Sequence, residues 1–224
     1  VIILVAGHVL ATSAPARRLL ARLSLLPRSS GQAILLISCT AIIGGFFNWA
    51  VGLVTGAVMA VTVSARARER GIKVHYPLAA ASGYMGMLIF GNGFSSSAPL
   101  LSNTNEHFLI EEIGLVSLGE TILMPSNLIT TLIFLVTVPL LLRAMHPAPD
   151  DCQEIDPELV RVYEADVEPP ASGGGETLVE KMERSRLVFV PMALAGLGMA
   201  LWYLTIGTVS LDLNSLNFLL VMAG

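Results

Sequence analysis

Four short polar side chains stand where glycine interrupts long apolar runs. Asn48 lies within Gly44-Gly45-Phe46-Phe47-Asn48-Trp49, and Ser95, Ser96 and Ser97 lie within Gly91-Asn92-Gly93-Phe94-Ser95-Ser96-Ser97-Ala98-Pro99. Amides, hydroxyls and the backbone N–H groups of half-helix N-termini can together replace the water shell of a small anion. A hydrogen bond to a charged group contributes about 1.5–3 kcal/mol and a helix N-terminus up to about 2 kcal/mol, so three or four contacts offset the desolvation of one small carboxylate. They do not suffice for a dianion without a bound cation. The expected ligand is a small monoanion, accompanied by Na⁺ or a proton. The expected site residues are Asn48, Gly52, Gly93, Ser95, Ser96 and Ser97, with Asn48 and Ser95 nearest any Na⁺. Asn48 also suits a cap on the turn, a role compatible with binding. Gly52 and Gly56 also have the small-xxx-small spacing of close helix packing in membranes.

Other chemistry is poorly supplied. No Lys, Arg, Asp or Glu occurs from Ser29 to Ala65, from Tyr76 to Leu101, or from Thr121 to Leu142, so these segments hold no buried acid relay or ion pair. Glu120, at one end of the last of them, is the best titratable candidate, with simple solvation as the competing reading. Gly91-Asn92-Gly93 lacks the lysine and preceding strand of a phosphate loop. His8, His75, His107 and His146 form no i, i+4 pair, which argues against zinc or haem. Cys39 lies in an apolar run and Cys152 in a polar one, so both are expected as plain thiols. An enzyme would need a catalytic dyad or metal cluster, and these residues provide neither.

The elements that must position these groups follow from composition. Hydrophobic residues make up 54% of the chain and charged ones 13%, with a mean hydropathy of +0.71, far from the roughly 25% charge of a soluble domain. An all-α polytopic membrane protein is expected, embedded in the lipid bilayer and without a nucleic-acid partner. The net charge of -4 says little about partners, because acids cluster between Asp150 and Glu183 while basic residues sit at span ends. As one straight helix the run from Ser29 to Ala65 would reach roughly 55 Å at about 1.5 Å per residue, nearly twice the hydrocarbon core. Arg17, Arg18, Arg22 and Arg28 precede it, and Arg66, Arg68, Arg70 and Lys73 follow, so both ends belong in the cytoplasm. The chain must enter the membrane and return, as a re-entrant helical hairpin over 31–65 turning near Asn48.

A membrane region over 1–145 then comprises a span at 1–14, this hairpin, a broken transmembrane helix at 76–101 and a return span at 121–142. Glycine and proline in a helix interior cost about 1 and about 3 kcal/mol, so 76–101 is expected as two half-helices around an unwound centre. Residues 146–181 read as a polar cytoplasmic linker, rich in proline and glycine, with Asp156-Pro157-Glu158 able to start a short helix. Residues 182–224 return to the membrane, with a span at 187–206. The chain opens and stops inside apolar stretches, which suggests a piece of a longer protein. A linker dividing two sets of such elements suits the first half of an inverted-repeat transporter.

The same residues carry a family resemblance. FNWAVGLVTGA from Phe47 to Ala57 and YPLAAASGYMGMLIFGNGFSSSAPLL from Tyr76 to Leu101 resemble the bacterial short-chain fatty acid transporters, the acetoacetate and butyrate uptake family. The likeness continues through Ile155-Asp156-Pro157, Glu183-Arg184-Ser185-Arg186 and Leu213 to Gly224. It departs at Ala50, Asn92 and Ser96, each standing for a glycine, and at Phe90, standing for a tryptophan. The resemblance implies a multi-pass symporter of the bacterial inner (plasma) membrane that takes up small monocarboxylates. The family is similar to the wider ion-transporter superfamily, which implies paired hairpins, inverted repeats and a homodimer, with substrate and Na⁺ at the hairpin tip. The alternatives are a channel, or a carrier of that superfamily for a different small organic anion.

Overall fold

The computed structural model describes residues 13–105, 107–167 and 198, and among them the chain forms helices and no strand. The expected span at 1–14 (up to residue 12), the linker beyond 167 and, apart from Gly198, the membrane region at 182–224 lie outside the described residues.

Helix α1 (Ala14–Leu23) carries Arg17, Arg18 and Arg22, and precedes the hairpin arms α2 (Ser30–Phe47) and α3 (Trp49–Glu69). α2 starts at Ser29, whose hydroxyl accepts the Gln32 N–H at 3.3 Å while the Gln32 side chain accepts the Arg28 N–H at 2.8 Å. These bonds satisfy donors that a helix start leaves open. α3 ends at Arg70 and Gly71, where a left-handed glycine (φ 72°) lets the Ile72 N–H reach the Ala67 carbonyl at 2.8 Å. The arms pack through Ala33, Ile34 and Ile37 of α2 and Met59, Ala60 and Val63 of α3, all buried.

The next segment crosses both arms. α4 (Tyr76–Gly83) gives way to 3₁₀ turns at Tyr84–Leu88 and Phe90–Asn92, then to extended backbone at Gly93, then to the short α5 (Ser97–Ser102). Glycine permits the crossing: a Cβ on Gly45 would strike the Gly86 carbonyl, one on Gly56 the Gly83 carbonyl, and one on Gly86 would come within 2.5 Å of the Ala41 carbonyl oxygen. Apolar side chains gain little by leaving lipid for one another, so such backbone contact carries much of the association.

After a loop containing α6 (Ile110–Ile113), α7 (Pro125–Ala144) packs on α2 but leaves Ile129, Leu132, Ile133, Val136 and Leu140 exposed. Three helices, α2, α3 and α7, are each long and apolar enough to cross a membrane.

Beyond α7 the chain folds back onto the bases of α3 and α4. The His75 N–H donates to His146 Nε2 and the Gln153 N–H to His75 Nδ1, both at 3.1 Å. The Tyr76 N–H donates to the Gln153 carbonyl at 2.8 Å. Arg68 joins the Ile155 carbonyl at 2.7 Å and the Glu154 carboxylate at 3.4 Å, and Ile155 is buried. α8 (Pro157–Val167) follows, with the Glu158 N–H on the Asp156 carboxylate at 2.9 Å.

Candidate functional site

The hairpin turns at a single residue. Asn48 has extended backbone (φ −155°, ψ 131°), yet its N–H still reaches the Gly44 carbonyl and its carbonyl accepts the Gly52 N–H, each at 2.9 Å. Its side-chain Oδ1 accepts the N–H groups of Ala50 at 2.9 Å and Val51 at 3.2 Å. One asparagine therefore ends α2 and caps α3. The residue is 1% exposed, and its Nδ2 amino group, also buried, has no hydrogen-bond partner. An unpaired buried donor costs about 1–3 kcal/mol, and such groups are rare enough to need a reason.

The unwound centre of the crossing segment lies against this turn. The Phe94 N–H donates to the Phe46 carbonyl at 2.8 Å, and Ser95 Oγ accepts the Trp49 N–H at 2.9 Å. A hydroxyl that accepts keeps its own hydrogen to donate. A Cβ on Gly93 would strike the Phe46 carbonyl, so glycine is what lets the two backbones touch here.

The expected residues thus divide. Gly93 meets Phe46 and Ser95 meets Trp49, near and next to Asn48 at the tip. Gly52 lies one turn along α3 and packs against Gly45, where a Cβ would meet the Gly45 backbone nitrogen. Ser96 is buried just ahead of α5 without capping it, and Ser97 is exposed as the first residue of α5.

At the start of α3 the backbone N–H groups expected to face an anion have partners within the protein. Its opening N–H groups on Trp49, Ala50, Val51 and Gly52 are already taken by Ser95 and Asn48. The donors available at the tip are Asn48 Nδ2 and the Ser95 hydroxyl hydrogen. For a cation the tip is less suited, since Asn48 Oδ1 and Ser95 Oγ both already accept N–H groups. Among the described residues no three His, Cys, Asp or Glu side chains cluster as metal ligands.

One member of the assembly escaped the sequence reading. Asn127, in the first turn of α7, donates to the Asn92 and Ile122 carbonyls at 2.8 Å each, and its Oδ1 accepts from Asn92 Nδ2 at 2.9 Å. The unwound segment is thereby fixed to the hairpin tip on one side and to α7 on the other. An amide within an otherwise apolar span was the available signal. Asn127→Ala removes all three bonds and should lower stability by about 1–3 kcal/mol. Asn92→Gly, which removes one, should cost less. Thermal melting of the two purified variants checks this order, and equal melting temperatures would refute it.

Glu120 is exposed, and its carboxylate accepts the Ser117 N–H at 3.0 Å and the Ser117 hydroxyl at 2.9 Å. These bonds, the backbone one foremost, hold its pKa below the ordinary carboxylate value. It stays ionised at neutral pH, and its bonds to Ser117 weaken only as pH falls through that lowered value. This is the behaviour of a solvated loop acid.

The profile of the family described as short chain fatty acid transporter matches residues 1–224. An Escherichia coli (strain K12) protein named "Putative short-chain fatty acid transporter" is 31% identical over 230 residues, covering 100% of this chain and 49% of that protein. A Haemophilus influenzae (strain ATCC 51907 / DSM 11121 / KW20 / Rd) protein of the same name is 28% identical over 233 residues, covering 100% of this chain and 50% of that protein. The chain spans about half the length of the curated relatives it matches. No solved structure matches it. Matched from end to end by this family profile and by relatives of the same description, the protein belongs to the short-chain fatty acid transporter family.

Proposed function

We propose that this chain forms one of two inverted repeats of a secondary transporter that takes up small monocarboxylates across the bacterial plasma membrane. The observation that carries the reading is the buried, unpaired Asn48 Nδ2, in an uncharged turn whose next residue, Trp49, donates its N–H to the Ser95 hydroxyl. Two neutral donors match the two oxygens of one carboxylate. The hairpin enters and leaves on the cytoplasmic side, with arginines at both of its ends, and its tip is covered by the unwound segment. Irregular backbone at membrane depth needs such cover. The chemistry here is recognition without bond-making. Homodimer formation is part of the same proposal.

The uncharged tip leaves the substrate's negative charge to be balanced by a companion proton or Na⁺. Since the oxygens of Asn48 and Ser95 already accept hydrogen bonds, Na⁺ would draw on backbone carbonyls or on the second repeat. Full-length protein in proteoliposomes tests transport and coupling together. Saturable, concentrative uptake of butyrate is expected, and passive flux that only follows the gradient would make the protein a channel. Replacing Na⁺ by choline, and separately adding a protonophore, identifies the companion ion by which treatment abolishes accumulation.

A further inference from the structure

A carboxylate site explains only half of a fatty acid, and two aromatic residues adjoin the two donor residues in the chain, with a third packed against both. Phe47 immediately precedes Asn48, and Phe94 immediately precedes Ser95. Their rings are stacked, with centroids 6.3 Å apart and planes 18° from parallel. Phe46 meets both edge-on, at 6.0 Å from Phe47 and 5.5 Å from Phe94. The Phe94 N–H bond to the Phe46 carbonyl fixes the backbones beneath them. Phe46 and Phe94 are partly buried, whereas Phe47 is 60% exposed and still adjoins the almost fully buried Asn48.

We infer that Phe47 and Phe94 form the wall that reads the hydrocarbon tail of the substrate and thereby set its chain length. This rests on the carboxylate reading of the tip. With the head group on Asn48 Nδ2 and the Ser95 hydroxyl, carbons beyond the carboxylate lie next to the residues adjoining both donors. The ring faces offer apolar contact with no polar group to desolvate, so each added methylene gains affinity until the rings end. The gain is about fourfold per methylene, from about 0.8 kcal/mol per buried CH₂. Tight aromatic packing fixes the ring positions, with preferred edge-to-face and offset geometries.

The test is a chain-length series of acetate, propionate, butyrate and hexanoate, bound to full-length purified protein. The variants are Phe47→Ala, Phe94→Ala and Phe47→Leu, with Asn48→Ala as reference. Phe47→Ala and Phe94→Ala should keep acetate affinity within about twofold of wild type while butyrate loses roughly tenfold, so that the rise with chain length flattens. Phe47→Leu, which restores an apolar wall, should recover most of the rise. A uniform loss for every acid, or an unaltered series, would overturn the wall and leave Phe47 as a lipid-facing ring. Phe47 is exposed, so its alanine variant keeps the question open to measurement even should Phe94→Ala fail to fold. The carboxylate reading fails separately, if Asn48→Ala leaves acetate affinity unchanged.

Discussion

Asn48→Asp should abolish measurable monocarboxylate binding at neutral pH while the protein still folds. The substitution keeps the oxygen that accepts the Ala50 and Val51 N–H groups, and a carboxylate at the start of α3 is favoured by the helix dipole. What changes is the other atom: the unpaired Nδ2 donor becomes an anionic oxygen facing the expected place of the substrate's own carboxylate. Losing the donor costs about 1.5–3 kcal/mol, roughly 10- to 150-fold, and charge repulsion adds to it. Asn48→Ala loses the cap as well, so it should weaken binding by a similar 10- to 150-fold and also lower the melting temperature. Ser102→Ala, whose hydroxyl donates to the Pro99 carbonyl away from the tip, serves as the control. Calorimetric titration of butyrate into the four proteins decides the matter. Unchanged binding by the aspartate variant, beside a destabilised alanine variant, would reduce Asn48 to a helix cap.

Gly56→Ala should prevent the hairpin and the broken span from assembling. A Cβ there would strike the Gly83 carbonyl oxygen, lie 2.8 Å from its carbon and stand 3.0 Å from Ala41 Cβ. Overpacking costs about 1–3 kcal/mol where side chains can yield. Here the obstacle is backbone on the opposing segment, and Gly83 meets Gly56 reciprocally, so the cost belongs at or above the top of that range. That is a large share of the roughly 5–15 kcal/mol that separates folded from unfolded proteins. Gly91→Ala, where nothing lies within 4 Å of the added carbon, should behave as wild type. The yield of monodisperse protein after membrane extraction distinguishes them, and comparable yields would mean that the glycine contacts are dispensable.

The break at Asn48 was legible because it follows from arithmetic: an uncharged run too long for one crossing, basic residues at both ends, and one good capping residue near its middle. The interruption of 76–101 was legible from Gly91, Gly93 and Pro99, whose backbone preferences are local. Its 3₁₀ form over most of Tyr84–Asn92 was not, because it follows from lying across the glycines of both hairpin arms. Ser95 was read as a ligand, yet its acceptor role toward Trp49 joins residues 46 apart in sequence, which no local pattern encodes. Asn127 stayed hidden for the same reason. In the polar stretch after α7, composition speaks against a core of its own. It could not reveal that Ile155 is buried there, or that the Gln153 backbone hydrogen-bonds to His75 and Tyr76 at the base of α4.

The length of the hairpin arms has an electrical consequence. α2 has 18 residues and so rises roughly 27 Å at about 1.5 Å per residue, which sets Asn48 most of a membrane's thickness away from the basic residues at the hairpin's ends. On the proposed topology and uptake, an anion captured at that tip would have crossed little of the membrane voltage, and its journey inward would run against an interior that is negative. Moving one elementary charge through the full field requires about 2.3 kcal/mol per 100 mV. On a site so placed, nearly all of that work falls on the inward step. On the proposed uptake reading, a companion cation that travels with the substrate through this step would offset that work.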